Sequence, residues 1–216
     1  MTRGRKLLNA SDTTLFLEVA ELSKVFKIAG IGGVATPIVS YVCIFSAIAS
    51  WPQFSWVENA LSDLGVQQGI TAPLFNVGLV ASGFLSLVFA VGLFRLGGKS
   101  LLSRVGAVVF VLACVSLIGI GVFNESFSPT HFFVSVAFFV LLPVSLLVFV
   151  GGFWFAGRRR AAIFTLVVAF AAAVPWVLQF GIHYVSNVAV PEFVSSVAGT
   201  LWMVVLSFKM LKEPSL

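Results

Sequence analysis

Apolar residues run in six long stretches, Ile28–Ser50, Ala72–Phe94, Val105–Phe123, Phe132–Phe155, Ala161–Phe180 and Phe193–Phe208, and every charged residue falls between or beyond them. Crossing a hydrocarbon core of roughly 30 Å takes about 20 helical residues, so five of the stretches span comfortably. The last is the shortest and borrows length from Met210 and Leu211, with Lys209 reaching to the headgroups. The pattern predicts an all-α fold, an integral membrane bundle of six transmembrane helices over residues 28–211. Residues 1–27 precede it and 212–216 form a tail.

Two shorter patterns flank the first stretch. Leu15, Val19, Leu22 and Phe26 recur at helical spacing after a cap at Ser11 or Asp12, with Lys24 and Lys27 alongside, which predicts an amphipathic helix on the inner membrane surface. In the connection from Trp51 to Thr71, Phe54, Val57, Leu61 and Leu64 share one helical face. Ser55-x-x-Glu58 there is a capping-box pattern, so a short interfacial helix is expected, with Trp51 and Trp56 in the aromatic belt.

Composition agrees, with 59% hydrophobic and 10% charged residues among 216. A soluble domain has about 25% charged residues with which to build its surface. The net charge of +5 would raise nucleic acid as a partner, but the basic residues form no aromatic-interleaved stripe and no nucleic-acid motif is present. They follow topology instead. Arg3, Arg5, Lys6, Lys24 and Lys27 precede span one; Arg95, Lys99 and Arg104 lie between spans two and three; Arg158, Arg159 and Arg160 lie between spans four and five; Lys209 and Lys212 follow span six. All 13 basic residues thus sit on connections of one parity, which places both termini in the cytoplasm. A cleaved signal peptide ending at Ala47-Ile48-Ala49 is disfavoured, because its apolar run is too long and starts too late.

Gly30, Gly32, Gly33, Gly78, Gly83 and Gly92 allow close helix approach, and Pro37, Pro143 and Pro175 are expected to kink or loosen their spans. Cys43 and Cys114 lie in apolar runs without C-x-x-C spacing and are read as small buried hydrophobes. The spans carry no mid-depth ionisable residue, which argues against a proton pump or secondary transporter. Asn76 and Gln179 are expected to hydrogen-bond between helices. No phosphate loop, nucleophile elbow, haem motif or nucleotide fingerprint occurs.

The connections of opposite parity hold Glu58, Asp63, Glu125, Glu192, His131 and His183, with Asn59, Asn76, Asn124, Ser126 and Gln179 close in sequence. If these helix ends converge, the groups suit acid–base work or a divalent metal such as zinc. Asp63, His131, His183 and Glu125 are the candidates for chemistry, with His131, His183 and Asp63 the candidates for a metal. Asn76, Glu58 and Asn124 are candidates for substrate contact. Structural readings stand beside these. Glu58 closes the capping box, Glu192 complements the dipole of its own helix, Ser128 caps span four, Pro129 and Pro191 take first helical positions, and Gly65 turns the chain into span two.

Ser62-Asp63-Leu64-Gly65-Val66, then Phe75-Asn76-x-Gly78, then Gly119-x-Gly121-x-Phe123 leading through an acidic turn to His131, resemble the prokaryotic membrane-protein family called domain of unknown function 998. The resemblance covers spans one to five and implies the six-span fold and a prokaryotic plasma membrane. It implies no reaction, cofactor or residue role. The layout is also distantly similar to six-span membrane hydrolases of the ceramidase type, whose full Ser, Asp and multiple-His set is not matched. Three functions remain open at this point: a hydrolase acting on a lipid or lipid-linked substrate at the outer leaflet, a lipid- or protein-binding bundle without chemistry, and a small-solute permease. Membrane lipids are the expected partners.

Overall fold

The computed structural model describes residues 10–98 and 100–212, with side chains from residue 20 onward. Arg3, Arg5, Lys6 and Lys99, the side chains of Ser11, Asp12, Leu15 and Val19, and the tail beyond Lys212 lie outside the described residues. Six long helices follow in chain order: α1 (Ala10–Ala49), α2 (Thr71–Leu96), α3 (Leu101–Val122), α4 (Thr130–Phe155), α5 (Arg159–Ile182) and α6 (Ala189–Lys212). There is no strand among the described residues. All six helices are long and apolar enough to cross a membrane, α1 through its portion Ala20–Ala49.

The N-terminal amphipathic segment does not fold as a separate surface helix. It runs into the first span as one unbroken helix from Ala10, which passes through the expected cap residues Ser11 and Asp12. Nothing in the sequence between Leu15 and Ile28 breaks a helix, and the inner part of the apolar stripe is used for packing: Phe26 is fully buried and Leu22 packs beside it in the core. Helix α6 is also longer than expected, at 24 residues, so that α3, at 22, is the shortest of the six. The charged ends of α6 stay helical because each finds a complement. Glu192 finds a backbone donor, and Lys209 and Lys212 occupy the last turn, where cations complement the helix dipole.

Each helix packs on its chain neighbours, and α6 returns to α1, so the six form a closed ring. The connections α1–α2, α3–α4 and α5–α6 gather at one end, here the acidic end. The connections α2–α3 and α4–α5 and the start of α1 and end of α6 gather at the other, the basic end. The register follows from close contacts there: a Cβ on Gly92 would lie 2.6 Å from Ala29 Cβ and 2.8 Å from Met210 Sδ. Gly78 meets Cys43 more tightly still, which is why α1 and α2 cross without a side chain between them.

Two apolar clusters fill the ring. Towards the basic end, Trp202 is fully buried and sits against Phe89, Phe110 and Phe149, with ring centroids 6.1, 5.8 and 5.3 Å away. Its indole N–H donates to Thr165 Oγ1 at 2.9 Å. Towards the acidic end, Ile44, Leu61, Leu64, Phe75, Leu79 and Ile120 form the second cluster. Hydroxyls tie helices across the interior, as in Ser40 to Ser82 (2.9 Å), Ser145 to the Gly106 carbonyl (2.9 Å) and Ser195 to the Ala172 carbonyl (2.6 Å). The outside of the ring is apolar: Val77, Phe133, Val177 and Phe180 are all more than 60% exposed. A surface of that kind needs a bilayer as its solvent, and the chain is a multi-pass membrane protein.

Candidate functional site

The acidic end is built on the Trp51–Ile70 connection. It contains no helix over residues 54–61; the chain makes turns there and then a 3-10 helix, Ser62–Val66. Half of the expected capping box forms, with Ser55 Oγ accepting the Glu58 N–H at 3.3 Å. The reciprocal half belongs to Asn59, whose Oδ1 accepts the Ser55 N–H at 2.9 Å. Trp51, Phe54, Trp56 and Phe193 form a continuous run of edge-packed rings, so the two tryptophans pack within the protein. Gly65 does not turn the chain. The left-handed residue before α2 is Gly69, with φ of +70°, and Gly65 is needed for proximity, since a Cβ there would lie 2.6 Å from Asn76 Oδ1.

The α5–α6 connection docks on this loop through its backbone. The Asn187 N–H donates to the Val57 carbonyl and the Ala189 N–H to the Asn59 carbonyl, both at 3.0 Å. That docking carries Glu192, three residues into α6, beneath the Leu61 amide, whose N–H donates to Glu192 Oε2 at 2.6 Å. Glu192 thus stands in the first turn of α6, where a carboxylate complements the helix dipole, and its hydrogen-bond partner lies 131 residues away. Pro191 occupies the third helical position and not the first.

Asp63 and Glu125 meet beside it. Asp63 Oδ2 accepts the Asn59 side-chain amide (2.8 Å) and the Ala60 N–H (3.0 Å). Glu125, in the 3-10 helix Glu125–Phe127, accepts the Ser62 hydroxyl at 2.7 Å and lies within hydrogen-bonding reach of the Asp63 carboxyl. Burial, then the negative charge of Asp63 and this contact, raise the Glu125 carboxyl above its ordinary 4.5, against the Ser62 hydroxyl and the neighbouring His131 ring. The charges of Glu125 and Asp63 both act on Glu192.

His131 starts α4 and is nearly buried. Its Nδ1 lies 2.7 Å from the Phe123 carbonyl and its Nε2 3.3 Å from Ser135 Oγ. A carbonyl only accepts, so this geometry assigns a hydrogen to Nδ1, and in the neutral ring Nε2 is then the acceptor of the Ser135 hydroxyl. Ser128 does not cap α4; the position before the helix is Pro129, which has no side-chain cap.

The remaining candidates do not join this group. His183 terminates α5 as an exposed left-handed residue with φ of 49°. Glu58 is exposed, with its carboxylate 3.4 Å from Ser186 Oγ and its carbonyl accepting the Asn187 amide. Asn124 caps its own turn by accepting the Ser126 N–H at 3.1 Å. Asn76 donates to the Gly65 carbonyl, in the 3-10 helix, at 2.9 Å and Gln179 to the Val185 carbonyl at 2.9 Å, so both hold the connections of the acidic end and not another span. Among the described residues, no three His, Cys, Asp or Glu side chains stand close enough to hold a metal ion. The set His131, His183 and Asp63 does not fit zinc, which takes at least three protein ligands at about 2 Å.

Below the acid layer lies a cavity of about 90 Å³, smaller than the roughly 300–1,000 Å³ of sites that enclose a whole small molecule. Leu61, Ser62 and Glu192 line its acidic end, and Leu79, Phe110, Leu142 and Met203 its apolar depth. Sequence reasoning missed the hydroxyls on its wall. Tyr41 OH lies 2.9 Å from Thr200 Oγ1, and Ser135 faces it one turn after His131. The one available signal was the i, i+4 spacing of His131 and Ser135.

No curated protein and no solved structure matches the chain. The family described as "Protein of unknown function (DUF998)" matches over residues 34–209, which takes in α2 to α5 entirely, α6 as far as Lys209 and the cavity-lining part of α1. The chain belongs to that family.

Proposed function

We propose that this protein receives the head of an amphiphilic lipid or lipid-linked molecule at the acid layer, with the cavity below taking only the first few carbons of its chain, and cleaves it there by metal-free hydrolysis. The observation that carries the reading is the polarity of the cavity, apolar in its depth and closed at one end by Ser62, Glu192 and the groups beside them. In an orientation set by the basic residues, that end faces the outer leaflet. A carboxyl whose protonated form the fold favours, such as Glu125, can donate a proton to a leaving group. An imidazole whose Nδ1–H is fixed on a carbonyl, such as His131, accepts one from water at Nε2.

A second reading, binding without turnover, rests on a different observation. Asp63, Glu125 and Glu192 already accept hydrogen bonds from the protein itself, as groups with a purely structural duty would. The test is to extract lipids that co-purify with the full-length protein, supply the same lipid class in nanodiscs, and follow its cleavage. Turnover that vanishes in Glu125→Gln and His131→Ala, with lipid still co-purifying, is the expected result. Co-purification without turnover in the parent protein leaves the binding reading, and a protein that retains no lipid overturns both.

A further inference from the structure

The basic end holds a groove of its own. Leu22 of α1, Phe94 and Arg95 in the last turn of α2, Gly98 in the α2–α3 connection and Arg104 in the first turn of α3 line an open space of about 580 Å³, within the roughly 300–1,000 Å³ of small-molecule sites. Two arginines line it and no acid does. Glu21, next to Leu22 on the α1 wall, is paired with Lys24 at 3.4 Å, the one ion pair among the described residues. Neither guanidinium therefore has a carboxylate partner there.

The helix does not account for Arg104. A helix N-terminus favours an anion, so a cation in the first turn of α3 is a cost. Its Nε donates to the Gly98 carbonyl at 3.2 Å, which holds the guanidinium back across the connection, and its two terminal amino groups have no acceptor among the described residues. The positive-inside rule asks for basic residues on this side of the membrane, but not for arginines from two different helices to share one groove.

We infer that this groove binds the phosphate of an anionic phospholipid in the leaflet at the basic end. Guanidiniums take phosphate oxygens in pairs, and basic pockets between spans hold lipid head groups in this way. The apolar part of the wall favours a lipid over a free anion: Phe94 is 37% exposed where the apolar stretch of α2 gives way to Arg95, at the depth of a lipid's glycerol and first methylenes. A choline head would bring a cation to a groove with no acid to receive it. The site lies at the opposite end from the acid layer and does not depend on the function proposed above.

The experiment is native mass spectrometry of the full-length protein in detergent, titrated in parallel with phosphatidylglycerol and phosphatidylcholine of the same acyl chains. Phosphatidylglycerol is expected to bind more tightly, by about fivefold for each arginine engaged. Arg95→Gln and Arg104→Gln should each remove about that factor and leave phosphatidylcholine unchanged; both side chains are exposed, and thermal unfolding checks that the variants fold. Arg104→Lys, which keeps the charge and loses the fork, should weaken binding less than Arg104→Gln. Arg160→Gln, on the other basic connection, should change neither lipid. Equal affinity for the two lipids overturns the inference, and so does an equal loss in Arg160→Gln, which would mean a diffuse attraction of the whole basic end. Displacement of phosphatidylglycerol by an equal concentration of glycerol phosphate would overturn the choice of a lipid over a free anion.

Discussion

Replacing Glu192 by alanine removes the acceptor of the Leu61 amide, and because Leu61 is 5% exposed that N–H has no water to turn to. An orphaned buried donor costs about 1–3 kcal/mol, with the upper part of the range applying where the lost acceptor was ionised. Expressed as a local opening equilibrium, this is a factor of roughly 5 to 150. Amide hydrogen exchange on the detergent-solubilised protein, resolved to the peptide that contains Leu61, reads that factor directly. In Glu192→Ala the Leu61 amide should exchange faster by that amount. The Ala189 amide, held by the Asn59 carbonyl, should follow only in part. Glu192→Gln keeps an acceptor oxygen and should stay within a few fold of the parent protein. Unchanged protection at Leu61 in a folded Glu192→Ala protein would refute the hydrogen bond and the docking of α6 built on it.

Three further outcomes follow from the same geometry. The Glu125 carboxyl sits above its ordinary 4.5, so the fold favours its protonated form; its contribution to stability is complete below pH 4.5 and declines as pH rises through the raised value. Glu125→Gln should therefore unfold at a higher temperature than the parent protein at pH 8, with the gap closing towards pH 4, and a variant that is weaker at pH 8 would contradict this. Gly78→Ala places a Cβ against Cys43 Cβ and should destabilise by about 1–3 kcal/mol through overpacking, in part recovered by Cys43→Gly, as a double-mutant unfolding cycle would show. Trp202→Ala should cost about 3–5 kcal/mol through the buried cavity that it opens. Thr165→Val, which removes only the partner of the indole N–H, should cost about 1–3 kcal/mol; equal losses would argue against the packing role given to the ring.

The spans were legible in the sequence because charge is excluded from them so completely that helix number and register could be counted. The ends were less so. The sequence treats Glu192 as the start of a helix, and a carboxylate near a helix N-terminus satisfies the dipole rule without a partner. What fixes its place is Leu61, brought over it by the docking of residues 187–189 on residues 57–59, a contact between segments more than a hundred residues apart that no local pattern encodes. His183 fails in the opposite direction. It follows the last turn of α5 as any outer imidazole would, and only its left-handed backbone shows that it ends a helix. Asp63 and Glu125 were placed in the same region by parity alone, and their contact required the two 3-10 helices that close the loops. The Ser55 box shows why such motifs mislead: the hydroxyl does what the pattern says, and Asn59, one residue further on, takes the role assigned to Glu58.

Phe110 belongs both to the wall of the cavity and to the ring cluster of the basic end, where it packs on Phe89 and Trp202. Thr165, which does not line the cavity, holds the Trp202 indole and so stands two side chains away from that wall. A change at Thr165 that lets the indole turn is therefore felt at the cavity through Phe110, and the shape of the acidic half of the bundle is set in part by a hydroxyl in the basic half.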